Sequence, residues 1–227
     1  MKKQDWFKFI IIVSVLASGF ALAPKKCRFS QPLGADQRID EKVRSFLDGQ
    51  RGKWHDMNIQ EADGRVLYDL IIKHRYTRAL EIGTSTGRSG IWIAWALSKT
   101  GGKLITIEID EGRHKRAVEN FEKAGLNEYV EARLTDAHEL VRELPGPFDF
   151  VFVDADKEGY TDYLKSVLPK LVAGGCFAAH NVRNVSYMYG IKEFLKYVRS
   201  MPSMETTIDE STGSGISISF KKANLLY

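Results

Sequence analysis

The chain has 227 residues, 44% hydrophobic and 27% charged, enough for one well-packed domain of α/β size. Its formal charge of +4 is concentrated at one end: six basic residues and one acidic residue among the first 28 leave the remainder at −1. A near-neutral folded part excludes a nucleic-acid binder, which would carry a basic face on the domain itself, and two cysteines, Cys27 and Cys176, imply no disulfide framework.

Lys2, Lys3 and Lys8 precede an uncharged, mostly apolar run from Phe9 to Ala23. That run is short for a spanning helix and close to a signal-peptide core. Ala21-Leu22-Ala23 resembles a cleavage site, but Pro24 follows it directly. Residues 1–23 are therefore a signal peptide or a membrane anchor, and membrane association would run through residues 9–23. Residues 24–35 contain Pro and Gly and are expected to be a linker, with the folded domain over 36–227.

Asp36 to Gln50 has apolar residues at helical spacing (Ile39, Val43, Phe46, Leu47). After a loop over 49–57, Asn58 can cap a second helix, with Glu61 completing a capping box. From there strands and helices alternate: strand 78–82 and helix 88–99, strand 103–109 and helix 111–125, strand 129–134 and a short helix from Asp136. Strand 148–153 and helix 158–168 follow, then strand 174–179 and a helix near 188–200. The runs 204–209 and 215–221 read as a closing hairpin. The alternation predicts an α/β fold: a Rossmann-like, doubly wound, mostly parallel seven-stranded sheet with a C-terminal antiparallel hairpin and helices on both faces.

The turn after strand 78–82 reads E-x-G-x-x-x-G from Glu81 through Gly83 to Gly87. It lacks the Gly-Lys-Ser/Thr of a P-loop and the first two glycines of G-x-G-x-x-G. Its carboxylate would repel a pyrophosphate, which argues against a nicotinamide dehydrogenase. The loop suits a nucleoside without phosphates that carries positive charge, and S-adenosylmethionine (SAM) is such a ligand. A Gly-rich connection in an ordinary α/β fold is the plainer alternative.

Ligands of open parallel sheets bind at the carboxyl ends of the strands. Glu108 ends the second strand, where it could hold ribose hydroxyls or be a surface acid. Asp136 and Ala137 follow the third, placed for an adenine amino group or for a simple helix cap. The fourth strand ends in Asp154-Ala155-Asp156-Lys157 and the fifth in His180-Asn181. Strands four and five should be neighbours about 4.8 Å apart, so Asp154, His180 and Asn181 could converge on one divalent ion. Lys157 could then take a proton from a bound hydroxyl. Taken singly, His180 could be a core histidine and Lys157 a solvated helix-start lysine.

These residues resemble a class I SAM-dependent methyltransferase, and more narrowly the metal-dependent catechol and caffeoyl-CoA O-methyltransferases, over about residues 37–221. The resemblance implies cofactor contacts from Met57, Ile59, Glu81, Gly83, Ser85, Gly87, Ser89, Glu108, Ile109, Asp136, Ala137 and Asp154. It implies a metal on Asp154, His180 and Asn181, with Asp154 and Lys157 catalytic and Lys157 the general base. One position departs: the family typically has Asp-Asn where this chain has His180-Asn181. Losing a carboxylate should weaken Mg²⁺ and favour Mn²⁺ or another ion that accepts imidazole. The segment from Val182 to Gly190 looks short for a substrate loop.

The expected reaction is methyl transfer from SAM to a hydroxyl, phenolic or catecholic, of a small molecule. Two alternatives stand beside it: a metal-independent enzyme with His180 as base, and a membrane-tethered SAM-binding module without catalysis. A cytosol-facing domain on a membrane tether is expected because SAM is made inside cells, although an exported form fits the N-terminal segment as well. A homodimer is left open.

Overall fold

The computed structural model describes residues 34–183 and 188–223. The apolar run 9–23, the linker up to residue 33, residues 184–187 of the short post-strand segment and the last four residues lie outside the described residues. Among the described residues, no helix is long and apolar enough to cross a membrane.

Seven α-helices and seven strands occur in the described part, with three short 3₁₀ turns between them: α1 (Ala35–Gly49), α2 (Glu61–His74), β1 (Arg78–Ile82), α3 (Arg88–Thr100), β2 (Lys103–Glu108), α4 (Glu111–Ala124), β3 (Val130–Leu134), α5 (Ala137–Glu143), β4 (Phe148–Val153), α6 (Tyr160–Val167), β5 (Leu171–His180), α7 (Tyr189–Ser200), β6 (Met204–Asp209) and β7 (Ile216–Lys221). One mixed sheet runs β3-β2-β1-β4-β5-β7-β6. It is parallel from β3 through β5, and β7 lies antiparallel to both β5 and β6. The closing hairpin thus sits at the sheet's end as expected, but its second strand is the inner one and β6 forms the edge.

Period-2 alternation divides the core into two layers. Phe150 and Phe152 of β4 face the layer covered by α1 to α4, with Leu67, Ile71, Ile91 and Phe121. Val151 and Val153 face the other, with Tyr160, Phe194 and Val198 of α6 and α7. The strand order turns back between β1, which pairs with β2, and β4, which pairs with β1 on its other edge. That reversal opens a crevice at the carboxyl ends of β1 and β4.

Three local expectations change. The second helix starts at Glu61, and its cap is Gln60, whose N–H donates to Asp63 Oδ2 at 3.0 Å. Asn58 instead donates from Nδ2 to Thr86 Oγ1 at 2.8 Å, tying the preceding loop to the glycine turn. The helix expected over 158–168 is a 3₁₀ turn (Lys157–Gly159) followed by α6. Strand β5 begins three residues early, at Leu171, because a register shift lets the chain rejoin β4 at Cys176.

Candidate active site at the carboxyl ends of the strands

The glycine turn is pinned to β4. Gly83 has φ 97°, and a Cβ there would lie 2.3 Å from the Asp154 carbonyl oxygen, so only glycine permits the approach. Its N–H donates to Ile107 O at 3.0 Å, while Asp154 N–H donates to Ile82 O at 2.9 Å. Ser85 also has positive φ, 49°. That backbone turn aims the Ser85 N–H at Glu108 Oε2, 2.7 Å away. Glu108 Oε1 accepts from the N–H groups of Ile109 and Asp110 at 3.1 and 3.0 Å. The carboxylate at the end of β2 is thereby fixed, facing the crevice with lone pairs to spare. Asp136 caps α5 by accepting from His138 N–H at 2.8 Å, so the plain capping role is real. Beside it, the His138 ring stacks on Tyr163 and Asp156 accepts from Tyr163 Oη at 2.7 Å.

At the far side, charged groups converge on Asp154. Lys157 Nζ donates to Asp154 Oδ1 at 2.7 Å and to Tyr160 Oη at 2.8 Å. Tyr160 is fully buried and donates to the His180 carbonyl at 3.2 Å. His180 Nδ1 meets Asp154 Oδ2 at 3.0 Å, and Nε2 lies 3.3 Å from Asp63 Oδ2, without the alignment of a hydrogen bond. Burial opposes the charged ring, yet the Asp154 and Asp63 carboxylates raise its pKa to about 9. Burial likewise works to raise the Asp154 carboxyl, but His180 and Lys157 outweigh it and hold the value below the ordinary range. The His180 ring therefore lies between two carboxylates that favour its charged form.

One cavity of about 790 Å³ runs across these strand ends. Of the expected residues, Met57, Gly83, Ser85, Glu108, Ile109, Asp136, Ala137, Asp154, Lys157, His180 and Asn181 line it. Met57 and Ile109 stand at its mouth, each more than two-thirds exposed. Ile59, Glu81, Gly87 and Ser89 do not line it. Ile59 is buried, its carbonyl accepting from Arg88 at 2.7 Å, and Gly87 caps α3. Tyr160, Asp63 and Tyr163 join the site without having been singled out by the sequence; the place of Tyr160, one helical turn after Lys157, is a signal that could have found it.

Glu81 points the other way along the β1 alternation, into the core beneath α3. It is fully buried and accepts from Thr106 Oγ1 at 2.6 Å. Burial pushes its pKa up to about 8 despite the Ser89 and Thr106 hydroxyls. A carboxyl whose folded pKa is raised stabilises the fold below its unfolded value of 4.5, and that contribution is lost as pH rises through about 8. Glu81→Gln should therefore gain stability over the native chain across that window, by up to about 1.4 kcal/mol per pH unit, and level off above it. Urea unfolding at a series of pH values checks this; a constant difference between the two proteins would show Glu81 to be ionised in the fold.

The donor set does not fit a resident divalent ion as arranged. A ligating imidazole gives one nitrogen lone pair to the metal and donates from the other, whereas both nitrogens of His180 face carboxylates. Both oxygens of Asp154 are already taken, by Lys157 and His180. Among the described residues, no group of three or more His, Cys, Asp or Glu side chains is arranged to hold a metal. Asn181 lines the cavity with φ 59° and adds no charge.

Residues 30–189 match the family described as O-methyltransferase. The chain is 43% identical over 130 residues to a catechol O-methyltransferase of Niastella koreensis, covering 56% of this chain and 58% of that one. It is 29% identical over 153 residues to a caffeoyl-CoA O-methyltransferase of Populus kitakamiensis, covering 65% and 64%. The chain thus spans somewhat less than two-thirds of the length of these curated relatives. In structure it is similar to an O-methyltransferase from Bacillus cereus solved in complex with SAH, with a TM-score of 0.70, 26% identity and coverage of 82% of this chain and 96% of that one.

Proposed function

This chain belongs to the O-methyltransferase family, and on that premise we propose that it transfers the methyl group of SAM to a phenolic or catecholic hydroxyl of a small molecule. The S–CH₃ bond breaks as the O–CH₃ bond forms, S-adenosylhomocysteine leaves, and the hydroxyl proton passes to Lys157 after its ammonium has released one proton to solvent. The observation that carries this reading is a single cavity that joins a fixed carboxylate of ribose-holding type, Glu108, to the Asp154–Lys157 pair. Acceptor oxygen and sulfonium methyl must lie in line, so most of the rate gain comes from positioning. No step is routed through a metal, because both oxygens of Asp154 already take hydrogen bonds, from Lys157 and from the His180 ring.

The test is methyl transfer from labelled SAM to a panel of catechols and other phenols, with added Mg²⁺ or Mn²⁺ and with EDTA. Tight SAM binding without transfer to any acceptor would favour the SAM-binding module instead. Glu108→Ala should weaken SAM binding by about 1–3 kcal/mol, since it removes a charged acceptor and orphans the Ser85 N–H. Calorimetry showing unchanged affinity would remove Glu108 from the site. The domain works on the cytosolic side, where SAM is made, with residues 9–23 as its tether; digestion by protease added to intact cells would overturn that placement.

A further inference from the structure

We propose that His180, clamped between Asp63 of α2 and Asp154 at the end of β4, occupies the place a divalent ion would need beside Asp154, and that Asp63 is the positioning residue that keeps it there. Asp63 lies far from the glycine turn in sequence and belongs to no strand end. Its carboxylate is nonetheless completely buried, in the first turn of α2, with one oxygen accepting from Gln60 N–H at 3.0 Å and standing 3.3 Å from His180 Nε2. The Thr212 hydroxyl from the β6–β7 turn also bears on it, and its other oxygen lacks a hydrogen-bond partner among the described residues. A carboxylate so desolvated needs a partner that answers it, and the His180 ring is the side chain in contact.

Geometry carries the rest. Asp63, His180, Asp154 and Lys157 form one chain of contacts of 2.7–3.3 Å. Both oxygens of Asp154 are taken within it, so a divalent ion could enter only if the ring left Asp154 to offer a lone pair or Lys157 left the other oxygen. An aspartate at position 180 would place a third carboxylate beside Asp154 and Asp63 in place of the ring, which is a site that calls for a cation.

Only the turnover arm of the test rests on the methyl-transfer reading above. In the full chain labelled with ¹⁵N-histidine, the His180 ring, identified by its loss in His180→Gln, should show two protonated nitrogens at neutral pH. Asp63→Asn should leave it with one. Mn²⁺ alone, titrated calorimetrically, should not bind the native chain at micromolar concentrations but should bind His180→Asp. With an acceptor in hand, native turnover should persist in EDTA, and Asp63→Asn should lower kcat about 10-fold through misplacement of Asp154 and Lys157, with KM for SAM unchanged. Micromolar Mn²⁺ binding to the native chain, with loss of a ring proton, would overturn the proposal, as would an Asp63→Asn protein whose ring spectrum and kcat match the native ones. If Asp63→Asn does not fold, the native ring spectrum and Mn²⁺ titration still decide. If no acceptor is ever found, those two arms stand apart from the failure of the methyl-transfer reading.

Discussion

Lys157→Arg should lose turnover almost as completely as Lys157→Ala, by about 10²- to 10⁴-fold in kcat, the usual worth of a positioned proton acceptor. Arginine keeps the positive charge that answers Asp154, yet it does not give up its proton in a protein. The pair of variants therefore separates two roles that the geometry combines, since Nζ lies 2.7 Å from Asp154 Oδ1 and also 2.8 Å from Tyr160 Oη. If Lys157 takes the acceptor's proton, both variants fail and both still bind SAM with near-native affinity, because the proposed ribose contact, Glu108, is untouched. If Lys157→Arg retains substantial turnover, the lysine serves by charge alone and the proton leaves by another path. Steady-state kinetics with SAM calorimetry on the same preparations reads both quantities.

Most of the fold is legible in the sequence because two periodicities alternate along the chain without interference. Phe148 to Val153 and Lys103 to Glu108 are short apolar runs ended by acids, and each is followed by an amphipathic helix. The start of β5 is not legible because Gly174 and Gly175 break the apolar run, yet the backbone upstream still pairs with Phe148. In the site, what can be read is what lies at strand ends: Glu108, Asp154, Lys157 and His180 all reach the cavity. Asp63 cannot be read, because an acid in the first turn of a helix is an ordinary complement to the helix dipole. Its partner His180 comes from a different element, brought near only by tertiary packing. Glu81 does not line the cavity for a local reason: a strand turns successive side chains to opposite faces, and this one shares the α3 face with Ala79.

Gly83→Ala should be among the most damaging single-methyl additions in the glycine turn, costing about 2–6 kcal/mol of stability and weakening SAM binding as well. Two terms add. A residue with a side chain held at φ 97° carries backbone strain of about 1–3 kcal/mol, and the new Cβ, 2.3 Å from the Asp154 carbonyl oxygen and 2.7 Å from its carbon, must push β4 away at an overpacking cost of about 1–3 kcal/mol. The displaced atoms are backbone, so no side-chain rotation relieves them, and the shift falls on the residue that holds both Lys157 and His180. Gly101→Ala provides the control, because Gly101 has φ 76° but nothing within 4 Å of where a methyl would lie. It should show the strain term alone and leave SAM affinity intact. Urea unfolding and SAM calorimetry on the two variants compare them directly. Equal losses of stability, or native SAM affinity in Gly83→Ala, would mean that the close approach of the glycine turn to β4 does not set the geometry of the site.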